Sequence, residues 1–195
     1  MSRDAVTTHA LLPAIAARWS PRAFATTPVS EADLHAILEA GRWAASSYND
    51  QPWSFIITRH GGPGHAAMLS TLVAFNQGWV GAAPVLFFSV ARTHFAQDGK
   101  PNKHAWHDCG AATAQMATEA SARGMQMHGM AGYDPEAARA ALGIPEGHDP
   151  VAAWALGFPG DATQLPAGLA EREAAPRTRR EPATLFYAGR FGTAM

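Results

Sequence analysis

Ser46-Ser47-Tyr48-Asn49-Asp50-Gln51-Pro52-Trp53 sets hydroxyls and side-chain amides in a row before a β-branched and aromatic run that reaches Thr58. The run reads as a buried-type strand, and the residues before it read as loop, because Asn, Asp, Ser and Pro favour turns. An amide side chain carries a donor and an acceptor together, which suits a planar ligand edge of alternating carbonyls and ring nitrogens. The same residues also make an ordinary satisfied turn, and the segment alone leaves both readings open.

On the N-terminal side, Ser30 with Asp33 offers a helix start, and Leu34, Ile37, Leu38 and Gly41 repeat at helical spacing to about Ala44. Earlier still, residues 10–17 read as a short helix that ends near Arg18-Trp19-Ser20-Pro21, since the residue before a proline leaves the helical region. Arg18-Trp19-Ser20-Pro21-Arg22 then places two guanidinium groups and a hydroxyl within a few residues of chain. The planar donor fork of Arg matches phosphate oxygens, so this is either a phosphate cradle or a solvated polar loop.

On the C-terminal side, the pattern predicts a helix over 66–75, a strand over 84–90 and a long helix over 107–123. In the long helix Cys109, Ala112, Met116 and Ala120 share one face, and Gly124 stops it. Residues 125–130 read as a short strand, Asp134-Pro135-Glu136 starts a helix to Leu142, and 151–156 is a further strand. From Asp161 onward Pro, Ala, Glu and Arg dominate, and 183–191 is the one stretch apolar enough to pack. One domain spanning 1–195 is expected, with 161–195 as an extended tail.

Lys and Arg total 15 against 16 acids, so no global field favours nucleic acid or an anionic membrane, and any anion site must be local. Only 16% of residues are charged, which leaves apolar surface for a partner to cover. Cys109 is the single cysteine, so an intrachain disulfide is impossible and a reducing compartment is expected. Neither a secretory signal nor a membrane span is visible, which makes the cytoplasm the expected location.

Three rival motifs carry less. Gly62-Pro63-Gly64-His65-Ala66-Ala67 has the spacing of a dinucleotide turn, but Pro63 removes a backbone donor and no acid ends the strand over 84–90. His104, His107, Asp108 and Cys109 are metal-ligand types, yet Pro101-Asn102 indicates loop, so they read as a solvated helix entry with Cys109 in the core. A nucleophile elbow and a paired acidic motif are both missing, leaving a hydrolase no site. The methionines of 125–130 fill a core and also lead into the following turn.

Taken in order, Arg18-x-Ser20-x-Arg22, Ser46 to Trp53, Phe75-Asn76, Asp108-Cys109-Gly110-Ala111, Gly132-Tyr133-Asp134, Leu156-Gly157-Phe158-Pro159 and Arg179-Arg180-Glu181-Pro182 resemble the nitroreductase family along almost the whole chain. Three positions depart from the pattern: Trp79 stands where some relatives carry Lys, Ala131 stands where some carry an acid, and Glu181 follows Arg180 where a second basic residue is common. The resemblance implies an α+β fold with a central, mostly antiparallel sheet flanked by helices, and a homodimer with FMN at the subunit interface. It implies ping-pong chemistry, in which hydride passes from NADH or NADPH to flavin N5 and then to a nitroaromatic, a quinone or a similar small organic acceptor. A storage or sensing flavoprotein, or a relative with other flavin chemistry such as dehalogenation, is the alternative.

By the same resemblance, Arg18, Ser20, Arg22 and Arg180 hold the phosphate and ribityl chain. Asn76 and the backbone of Met130, Ala131 and Gly132 meet the ring, while Ser46, Ser47 and Asn49 reach it from the partner subunit. Trp19, Gln51 and Arg179 complete the expected cofactor-binding set. No catalytic acid or base and no metal is implied.

Overall fold

The computed structural model describes residues 3–195. In chain order the elements are α1 (Pro13–Ala17), α2 (Glu31–Arg42), β1 (Trp53–Arg59), α3 (His65–Ser70), α4 (Ala74–Val80), β2 (Val85–Arg92), α5 (Ala105–Ala122), β3 (Gln126–Met130), α6 (Pro135–Leu142), β4 (His148–Gly157) and α7 (Ala167–Ala174). The strands form one sheet in the order β1-β2-β4-β3, and every neighbouring pair is antiparallel. The fold is α+β.

β2 is buried from Val85 to Ala91 because helices cover both faces of the sheet, so its sequence is apolar without alternation. The period of two still sorts its side chains. Leu86, Phe88 and Val90 join Phe24, Met68, Trp79, Val80, Met130 and Leu169 on one face, and Val85 and Phe87 join Leu34, Ile37, Met116, Met125 and Leu156 on the other. Between β2 and β4 the register shifts at Ser89/Val90, and the buried Ser89 hydroxyl accepts the indole N–H of Trp154 at 3.0 Å.

α2 begins where Ser30 Oγ accepts the N–H of Asp33 at 3.0 Å, with Glu31 and Asp33 in its first turn and Arg42 in its last. It buries Leu34, Ile37 and Gly41 against α5. A Cβ on Gly41 would stand 2.7 Å from Met116 Cγ, so glycine permits this close helix crossing. α5 buries Cys109, Ala112, Thr113, Met116, Ala117 and Ala120, the face that its sequence marks.

The helix expected over 66–75 is instead two helices broken at Thr71-Leu72-Val73. The backbone groups of the break bond across the chain: Val73 N–H donates to Gly132 O at 3.0 Å, and Asp134 N–H donates to Thr71 O at 2.8 Å. The turn after β3 therefore ends α3 and aims α4. The dinucleotide-turn reading also falls here, because β1 pairs antiparallel with β2 and Gly64 merely precedes a six-residue helix.

Within this chain the tail packs at its earlier end rather than over 183–191. Its earlier part packs, with Leu169 and Glu173 of α7 buried, whereas Leu185, Phe186 and Phe191 are exposed. The aromatic pair Tyr187–Phe191, 4.8 Å apart, makes its ring contact within the tail itself rather than with the sheet. Among the described residues no helix is long and apolar enough to cross a membrane.

Candidate functional site

α1 ends as Pro21 approaches, and its last carbonyls are taken by side chains rather than by further helix. Gln126 of β3 accepts Trp19 N–H at 2.9 Å and donates to Ala17 O at 3.1 Å, holding the junction as a strand neighbour would. Arg177 donates to Arg3 O at 2.6 Å, to Ala16 O at 3.0 Å and to Arg18 O at 2.7 Å. The guanidinium of Arg3 stacks on the Trp19 ring at 4.7 Å.

Arg18, Arg177, Thr178 and Arg179 line a cavity of about 290 Å³ whose apolar side is Val6, Leu11 and Ile15. Burial lowers the pKa of Arg18, and the charge of Arg179 adds to this. Burial also lowers that of Arg177, followed by Arg18, Arg179 and Arg3, with Asp4 acting the other way. Arginines remain protonated under such pressure, so the cluster is a standing local excess of positive charge that a phosphate-type anion would relieve. Ser20 and Arg180 are exposed and lie outside the lining of this cavity.

The next residues are gripped from two sides. His128 of β3 bonds through Nδ1 to Pro21 O at 2.7 Å, which places the Nδ1 proton on the ring because a carbonyl only accepts. Burial is the largest cause of the low pKa of His128, and its ring lies 4.6 Å from that of Trp79. From α7, Glu173 Oε1 accepts the N–H of Arg22 at 2.8 Å and that of Ala23 at 3.1 Å. Arg22 and Trp79, with Gln77 and Gln164, line a second cavity of about 180 Å³. Arg22 Nε, Trp79 Nε1 and Glu173 Oε2 are buried without a hydrogen-bond partner.

The structure brings Asn76 and Gly132 together. Asn76 Nδ2 donates to Gly132 O at 2.9 Å, and Val73 N–H shares the same acceptor. A Cβ on Gly132 would lie 2.6 Å from Asn76 Nδ2 and 2.9 Å from Val73 Cγ2, so the residue must be glycine for the seam to close. Of the two residues before Gly132, Met130 is buried and Ala131 exposed.

Ser46, Ser47, Asn49 and Gln51 belong to a strained loop, with φ of 53° at Tyr48, 55° at Asn49 and 48° at Gln51. Fixed acceptors hold it. Asp108 of α5 accepts Ser47 N–H at 2.9 Å, and Ser46 Oγ accepts Gln51 N–H at 3.0 Å. Asp50 accepts Ala96 N–H at 2.9 Å and pairs with Arg92 at 3.0 Å. Burial opposes ionisation of Asp50, but Ala96, Arg92 and Asn102 outweigh it and keep the carboxyl below its ordinary pKa. The loop is thus bonded to α5 and to the β2–α5 connection rather than to Arg18, Arg22 or Asn76 within the same chain.

His104 and His107 are exposed at the start of α5, and His107 pairs with Asp108 at 2.9 Å. Burial pushes the Cys109 thiol up to about 11, against a weaker opposing bond from Ser89. No group of three or more metal-ligand side chains gathers among the described residues. Sequence reasoning passed over Arg177 and Glu173, both hidden in an Arg-, Glu- and Ala-rich tail. The Leu169/Glu173 spacing of one helical turn is the only local signal for the second.

A sequence model of the Nitroreductase family matches residues 15–69 and 63–158. An uncharacterized 15.4 kDa protein of Mycolicibacterium smegmatis is 35% identical over 145 residues, covering 71% of this chain and 97% of its own length. A Thermus thermophilus protein named NADH dehydrogenase is 30% identical over 175 residues, covering 74% of this chain and 84% of its own. A crystal structure described as an oxidoreductase containing FMN is 34% identical and superposes with a TM-score of 0.92, over 99% of this chain and 98% of that one. With this fold, these residues in this order and these relatives, the chain belongs to the nitroreductase family.

Proposed function

We propose that residues 1–195 form one FMN-binding domain that works as a cytoplasmic homodimer and moves electrons from NADH or NADPH to a nitroaromatic, a quinone or a similar organic acceptor. The observation that carries this reading is the arginine cluster, in which Arg18, Arg177 and Arg179 surround one cavity with more positive than negative charge. Its donor set suits a phosphate monoester, and the Asn76–Gly132 seam offers amide and main-chain groups of the kind a flavin's pyrimidine edge requires. The structural relative described as containing FMN adds its weight.

When bound, FMN would supply the two-electron exchange, accepting from the nicotinamide and delivering to the acceptor in alternation. The chain's own residues place and polarise. Arg18 and Arg179 would neutralise phosphate charge, while Trp19, Ser20 and Arg180 would border the ribityl chain. Arg22, expected at the phosphate, lines the cavity of Trp79 rather than that of Arg18, and with Asn76 and the main chain from Met130 to Gly132 it would face the ring. The 46–51 loop, bonded to α5 and to the β2–α5 connection, would serve the partner's site through Ser46, Ser47, Asn49 and Gln51. The exposed Trp43, Tyr48 and Phe75 give a homodimer apolar surface to bury.

No side chain is assigned as acid or base, because an open flavin site exchanges protons with solvent. Oxidation of NADH or NADPH by protein reconstituted with FMN, with menadione or a nitroaromatic as acceptor, tests the reading. Turnover is the expected result, and bound FMN without turnover would make the chain a storage or sensing protein.

A further inference from the structure

Glu173 is an acid that its sequence context would leave in solvent, yet it is 5% exposed. A buried carboxylate needs donors. It takes them from the Arg22 segment, accepting the N–H groups of Arg22 and Ala23, and its Oε2 stands 3.9 Å from Arg22 Nη1. That spacing is an ion pair without a direct hydrogen bond, so the carboxylate fixes the main chain of Arg22 and leaves the guanidinium its donors. Arg22 Nε and Glu173 Oε2 are both buried and unpartnered, in a pair whose arginine borders the second cavity. α7 thus places a carboxylate 3.9 Å from the guanidinium of the arginine that the proposed site uses for the flavin ring.

We infer that Glu173 is a positioning residue for Arg22 that sets how much positive charge the arginine presents to the flavin, and that α7 thereby tunes how readily the flavin is reduced. The inference rests on the FMN reading above. Reduction adds negative charge to the site, and Arg22 favours that charge while Glu173 partly cancels the effect. Replacing the carboxylate by an amide of the same shape keeps a carbonyl oxygen for the two N–H groups and removes the cancellation. A purely structural role would loosen the 20–23 segment without shifting the redox balance through Arg22.

The test compares FMN-loaded wild type, Glu173→Gln, Arg22→Gln and the double variant, reading the reduced-to-oxidised flavin ratio at a fixed poise against a reference dye. Glu173→Gln is expected to raise the ratio about three- to tenfold, tenfold being about 30 mV for a two-electron couple, and to lose this effect when Arg22 is also Gln. An unchanged ratio, or a shift that survives in full without Arg22, overturns the inference. If Glu173→Gln does not fold, Arg22→Gln alone must lower the ratio, and no change there overturns it equally. Protein that retains no FMN after incubation and gel filtration contradicts the FMN reading itself, whereas FMN retained with an unshifted ratio contradicts this inference alone.

Discussion

Asn76 donates its side-chain amide to the carbonyl of Gly132 at 2.9 Å, joining residues 56 positions apart. This bond closes the seam between the start of α4 and the end of β3, where the helix break at Thr71-Leu72-Val73 is also satisfied. Gly132→Ala is therefore expected to destabilise the protein by about 1–3 kcal/mol, since its Cβ would overlap both Asn76 and Val73. Urea unfolding checks this, and an unchanged midpoint would show that the seam relaxes freely.

Arg18→Ala is expected to weaken FMN binding by about 1.5–3 kcal/mol, the value of a charged hydrogen bond, while leaving riboflavin binding nearly unchanged. Fluorescence titration of both ligands separates a phosphate contact from a general loss of fold. Equal losses for the two would move the phosphate away from the arginine cluster.

Stability should fall as the solution is acidified below the ordinary histidine range. Burial lowers the pKa of His65 and of His128, so the folded state resists protons that the unfolded chain accepts near 6.5. The stabilisation is complete above that value and is lost as pH drops from it toward the lower folded-state values. Urea midpoints between about pH 8 and pH 5 should decline less steeply in His65→Asn/His128→Asn than in wild type. Parallel curves would show that carboxylates alone set the acid limb.

Cys109 should be inert in the folded protein. It is fully buried with its thiol pushed up to about 11, so roughly one thiol in a thousand is ionised at about pH 8. A thiol-specific chromogenic reagent should give no signal until denaturant is added. Fast labelling of the native protein would contradict the burial.

What could be read in advance was whatever announces itself locally. β2 and α5 follow from an unbroken apolar run and from a helical stripe through Cys109, Ala112, Met116 and Ala120. The helix break could not be read, because Leu72 and Val73 continue the apolar pattern and their partners, Gly132 and Asp134, are distant in sequence. The arginine cluster was half legible: Arg18 and Arg179 stand in motifs, but Arg177 acts through main-chain carbonyls that no spacing encodes. Glu173 was illegible for a related reason, since its burial depends on N–H groups of a segment 150 residues away. The position of the 46–51 loop was clear, whereas its left-handed residues Tyr48, Asn49 and Gln51 were not, because the acceptors that hold the loop, Asp50 and Asp108, act through tertiary bonds.

FMN-dependent electron transfer by this chain is tested most directly by an anaerobic titration of purified, FMN-incubated and gel-filtered protein with NADH or NADPH, followed by visible absorption. Flavin bands at about 370 and 450 nm should co-elute with a dimer, and at least one of the two nicotinamides should bleach the longer-wavelength band stoichiometrically. Protein that elutes colourless, or yellow protein whose band neither nicotinamide bleaches, would contradict that electron transfer.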